Sequence, residues 1–66
     1  MKQRVLEAFI GRDISELTDF LRKNFYILSF QRVNSKGSYI FTRPGHKPLE
    51  VYTDYNIVYE IQGGEK

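Results

Sequence analysis

Cysteine is absent from the 66 residues, which excludes disulfides and thiolate chemistry and removes the sulfur ligands of the common zinc frameworks. A lone His, His46, is too few for a His-rich metal site, so neither a metal nor another cofactor is expected. The longest apolar run is the four residues from Phe25 to Leu28. That is too short for a membrane span or for the hydrophobic stretch of a secretory signal, and the expected compartment is the cytoplasm. The five glycines (Gly11, Gly37, Gly45, Gly63, Gly64) lack the spacing of a phosphate-cradling or dinucleotide-binding loop.

The most telling absence is local. Between Phe20 and Leu49 there is no Asp or Glu, while six cations (Arg22, Lys23, Arg32, Lys36, Arg43, Lys47) and His46 fall inside that window. Residues 1–19 carry −1, residues 20–49 carry +6 and residues 50–66 carry −3, which together make the modest net +2. The same window holds Phe20, Phe25, Tyr26, Phe30, Tyr39 and Phe41. Cations mixed with flat rings suit a polyanion that carries bases.

What is present otherwise describes one small folded domain. Hydrophobic residues make up 41% of the chain and aromatics 15%, against the aromatic-poor composition of disordered segments. A chain this short leaves much of its surface wet and has little stability to spare. Residues 1–62 are expected to form a single domain, with 63–66 as a loose tail.

Val5, Leu6, Phe9 and Ile10 have helical spacing ahead of Gly11, although so short an apolar run over residues 2–10 also fits an edge strand. Asp13 and Glu16 make a capping-box-like pair before Ile14, Leu17, Phe20 and Leu21, whose spacing predicts a helix ending near Asn24. From residue 25 the pattern turns to strands over 25–33, 38–43, 49–53 and 57–61. Turns are expected at 34–37, 44–48 and 54–56. The fold class is therefore α+β: one or two N-terminal helices packed on a three- to four-stranded antiparallel meander.

Tight turns at 34–37 and 44–48 would put Leu28, Phe30, Arg32, Tyr39, Phe41, Arg43, Glu50 and Tyr52 on one face. Ile27, Ile40, Leu49, Val51, Ile57, Tyr59 and Ile61 would take the other. One helical layer covers one face. The expectation taken forward puts the helices on the aliphatic face and leaves Phe30, Tyr39, Phe41 and Tyr52 open as a stacking platform ringed by Arg32, Arg43 and Lys47. The competing reading makes these alternating rings core, and the cations plain surface charge.

The helix ending Phe20-Leu-Arg-Lys-Asn-Phe25, the segment Gln31-Arg-Val33, the Lys36-Gly-Ser38 turn, Tyr39 through Pro44 and Leu49 through Val51 together resemble the HicA-type toxins. These are small RNA-cleaving proteins with a double-stranded-RNA-binding-domain-like fold. The resemblance covers about half the chain and implies RNA or DNA contact through Lys36, Ser38 and Arg43. It also makes ribonuclease the one enzymatic candidate. The family places its catalytic His after the Gly-Ser of the turn, where this chain has Tyr39, and it ends in a helix where residues 54–61 read as turn and strand.

The expected function is a non-enzymatic nucleic-acid-binding protein of a phage or other mobile element. Its contact residues would be Arg32, Lys36, Ser38, Tyr39, Phe41, Arg43, His46 and Lys47. The alternative is a protein-interaction module, a small inhibitor, regulatory subunit or homodimer, docking through an aromatic strand face or edge. His46 as a general base and Ser35 and Ser38 as anything beyond turn residues are the weaker chemical candidates.

Overall fold

The computed structural model describes residues 3–32, 34 and 36–63. Helices α1 (Gln3–Glu7) and α2 (Ile14–Lys23) precede strands β1 (Ile27–Gln31), β2 (Ser38–Thr42), β3 (Leu49–Asp54) and β4 (Ile57–Gly63). The four strands pair antiparallel in the order β1-β2-β3-β4, so the α+β meander expected from the sequence is the observed fold. Residues 3–7 are helix, not edge strand. Gly63 closes β4 opposite Leu49 instead of opening the tail. The expected helix start at Lys2, the strand end at Val33, Ser35 in the turn and tail residues 64–66 lie outside the described residues.

α2 forms because Ile14, Leu17 and Leu21 recur on one side of a helix, and all three are buried. Asp13 is its N-cap: a carboxylate oxygen accepts from the Ser15 N–H at 2.8 Å, and this bond holds the Asp13 carboxyl below its ordinary value. The other half of the expected capping box does not form. Glu16 instead lies 3.5 Å from the Arg12 guanidinium, one turn back. Phe9 and Phe20 stack at 5.0 Å between ring centres and tie the α1 end to α2.

The helices cover the sheet face that carries Leu28, Tyr39, Phe41, Leu49, Val51, Thr53, Val58 and Ile61. With Leu6, Ile14, Leu17, Leu21 and Tyr26 these residues, apart from the half-buried Leu28 packed against them, make the core. The expected division of faces is overturned here in three places. Phe41 pairs with Leu49 and Tyr39 with Val51, so the 43–48 connection turns one residue out of the assumed phase and sends Leu49 and Val51 inward, Glu50 and Tyr52 outward. In β1, Leu28 faces Phe41 but Phe30 faces Ile40, because Ser29 is a bulge. In β4, Tyr59 is the extra residue between the Tyr52–Glu60 and Thr53–Val58 pairs. Val58 and Ile61 thus both point to the core while Ile57 and Tyr59 are exposed.

The meander is locked by two turns and one close approach. Tyr55 and Asn56 both have positive φ, 50° and 67°, as a two-residue type I′ hairpin requires. The Gly37 carbonyl accepts from both the amide and the buried hydroxyl of Thr53, at 2.9 and 3.0 Å. At Gly63, φ is 81° and a Cβ would meet the Pro48 carbonyl oxygen at 2.5 Å, so only glycine lets β4 close against the start of β3.

Two outcomes test this arrangement. Phe41 is 0% exposed and Phe30 56% exposed. Phe41→Ala should therefore cost about 3–5 kcal/mol in chemical denaturation, enough to unfold most of a domain this size, while Phe30→Ala, measured at a dilution where copies do not associate, stays within about 0.5 kcal/mol. Asp13 has a depressed carboxyl, so its cap stabilises fully above the unfolded carboxylate value and is lost as pH falls through the lower folded one. Acid titration of Asp13→Asn, followed by circular dichroism, should show a shallower loss of stability on acidification than wild type.

Candidate nucleic-acid interface

The end of α2 sets the site. Asn24 is the C-cap; the Phe25 N–H donates to the Arg22 carbonyl at 3.1 Å and the Tyr26 N–H to the Leu21 carbonyl at 3.0 Å. That bond pair is a Schellman motif, and its usual hydrophobic contact is supplied by Leu21 and Tyr26, both buried. The motif needs a left-handed residue after the cap, and the chain puts Phe25 there at φ 68°, where glycine is the favoured choice. Turning the backbone this way sends Tyr26 into the core and leaves the Phe25 ring 78% exposed.

The loop after β2 faces this turn. Pro44 and Gly45 occupy the centre of a β-turn closed by the His46 N–H donating to the Arg43 carbonyl at 3.1 Å, with Gly45 at φ 81°. Pro followed by a positive-φ Gly is the type II pattern. The Arg43 guanidinium carbon sits 5.6 Å from the centre of the Tyr26 ring, in cation–π range. The His46 ring is 6.3 Å from the same Tyr26. Lys47, Arg22 and Lys23 are exposed.

One corner of the molecule therefore brings Arg43 and His46 onto Tyr26, the residue after the protruding Phe25, with Arg22, Lys23 and Lys47 next to them along the chain. None of its three segments, the last turn of α2, residues 24–26 and residues 43–48, contains an acid; the nearest one along α2 is Asp19, a turn earlier. Cations in a last helical turn also complement the helix dipole, equivalent to roughly half a negative charge. That accounts for Arg22 and Lys23. It does not account for Arg43, Lys47 or the bare ring.

Of the expected contact residues, the structure brings together Arg43, His46 and Lys47. Arg32 and Lys36 are exposed at the opposite end of β1, about 13–17 Å away along a five-residue strand. Ser38 is half-buried in β2. Tyr39 and Phe41, at 8% and 0% exposure, are sealed under the helices and present no ring to a base, a correction forced by the register of the 43–48 connection. Arg22, Lys23 and Phe25 join this corner without being among the contacts that the sequence pattern points to. A helix stopping at Asn24 with no glycine behind it was the available sign that Phe25 must take the left-handed position.

Among the described residues, no group of three or more His, Cys, Asp or Glu could hold a metal, and no helix is long and apolar enough to cross a membrane. No family of known proteins, no curated protein and no solved structure matches the chain.

Phe25→Gly should stabilise the fold by about 1 kcal/mol, the cost of holding an L side chain in the left-handed region, since the ring itself is mostly in water. A rise in the urea midpoint at unchanged slope is the expected reading.

Proposed function

We propose that this chain is a small nucleic-acid-binding protein of the cytoplasm, non-enzymatic, that holds single-stranded RNA or DNA on its basic corner. Phe25 is the observation that carries this reading: a bare aromatic ring, kept at a conformational cost, between Arg22–Lys23 and the Tyr26 that carries Arg43 on its ring. Strain of that kind concentrates at working sites. A flat, exposed ring stacks on an unpaired base whatever its identity, and Arg22, Lys23, Arg43 and Lys47 are placed to neutralise the flanking phosphates. The stacking surface is thus one ring beside a turn, and the sheet rings Tyr39 and Phe41 serve the core.

The resemblance to the HicA-type toxins agrees with RNA contact through Arg43. Its ribonuclease chemistry is left aside, because Tyr39 occupies the position of that family's His and is buried here.

Fluorescence anisotropy with labelled single- and double-stranded oligonucleotides tests the reading. With four phosphate contacts, single-strand affinity should fall roughly 50-fold between 50 and 200 mM salt, and Phe25→Ala should weaken it by about 1–3 kcal/mol. Arg43→Glu with Lys47→Glu should abolish binding. Arg12→Glu with Lys36→Glu, the same charge change at the opposite end, should leave most of it. Binding that ignores salt, or that both double variants weaken equally, overturns the proposal.

A further inference from the structure

Among the described residues nothing covers the sheet face turned away from the helices, and large apolar side chains stand among its polar ones. Antiparallel sheets that face water usually alternate polar residues outward. Here Ile27, Phe30, Ile40, Tyr52 and Tyr59 point out among Ser38, Thr42, Glu50, Asp54, Glu60 and Gln62, with Ile27, Phe30 and Tyr59 each more than half exposed. The rings of Tyr52 and Tyr59 lie 6.5 Å apart. Desolvation, then the charges of Glu50 and Glu60, push the Tyr52 phenol up, so the two carboxylates border this ring pair.

The register arranges the charges on this face in a definite way. The Arg32 N–H donates to the Ser38 carbonyl at 2.9 Å, Ser38 pairs with Tyr52 and Tyr52 with Glu60. Arg32, Ser38, Tyr52 and Glu60 therefore form one row across all four strands, with a cation at the β1 end and an anion at the β4 end. A two-fold axis parallel to the strands, between β2 and β3, maps such a row onto itself reversed. Each Arg32 then lies over Glu60 of a second copy, and Ser38 over its Tyr52. Self-complementarity of this kind is what an isologous contact requires.

We infer that two copies of this chain pack their open sheet faces together about that axis. Four strands about 4.8 Å apart and five residues long cover roughly 19 by 17 Å. Counting both copies and surface relief, that is on the order of 1,200 Å² of accessible area, the lower bound of a stable interface. Burying it would also double the core of a domain too small to be generously stable alone. A rotation about an axis along the strands leaves positions along the strands unchanged. Both 43–48 loops, and with them both basic corners, come to the same end of the dimer. If the nucleic-acid reading holds, one strand of nucleic acid meets two cationic corners side by side.

Sedimentation equilibrium in the absence of nucleic acid tests the dimer without reference to that reading. Wild type should be dimeric at micromolar concentration. Arg32→Glu should raise the dissociation constant at least tenfold, and Arg32→Glu with Glu60→Arg should restore it, because the reversed pair meets itself across the axis. Phe30→Glu should give monomer, and circular dichroism on each variant should match wild type, as expected for outward residues. A wild type that stays monomeric at the highest soluble concentration, or a double variant no better than Arg32→Glu alone, refutes the inference. A monomer that still binds oligonucleotides would leave the basic corner standing by itself.

Discussion

One ten-residue amphipathic helix cannot cover both faces of a four-stranded sheet, and this limit governs the molecule. Leu17 and Leu21 reach the sheet at the completely buried Phe41, Leu49 and Val51. The space under the helices is limited, and alternation alone would send Phe30 of β1 and Tyr59 of β4 into it and Val58 out. The bulge at Tyr59 re-phases β4 so that Val58 joins Ile61 under the helices, while the bulge at Ser29 leaves Leu28 against Phe41 and turns Phe30 out to the opposite face. The opposite face is what remains after the core has been satisfied.

The sequence reveals the elements much better than their phase. α2 is legible because its apolar spacing and its Asp13 cap agree, and the hairpins are legible because Asn, Asp, Gly and Pro punctuate the strands. Face assignment depends on the parity of each connection, and a one-residue slip inverts it. The 43–48 connection and the two bulges each shift that parity, with no composition cue strong enough to show it beforehand. The charge window is plain in the sequence, yet strand length carries Arg32 and Lys36 away from Arg43 and Lys47. Phe25 reads as the first residue of a strand. It is the turn of the helix cap, needed to bring Tyr26 back over Leu21, that lifts its ring into solvent.

The same turn links packing to the basic corner. Tyr26 belongs to the core and at the same time supports Arg43 on its ring, with His46 beside it. The guanidinium is thereby held by a buried aromatic and by a Pro-Gly turn, which restricts its motion before any ligand arrives. A cation placed in advance loses less freedom on binding than one on a free side chain.

The segment joining the helices runs along the outer edge of β4. The Gly11 N–H donates to the Val58 carbonyl, the Val58 N–H to the Arg12 carbonyl, and Asp13 bridges to Ile57. The Ile57–Val58 end of that flank is closed to strand addition. Among the described residues the β1 edge has no such guard, and Ile27 and Phe30 stand exposed along it, with the Ser29 bulge as the interruption. Growth of fibrils or exchange of strands between molecules finds its most apolar open edge at Ile27–Gln31, five residues whose kink is the safeguard.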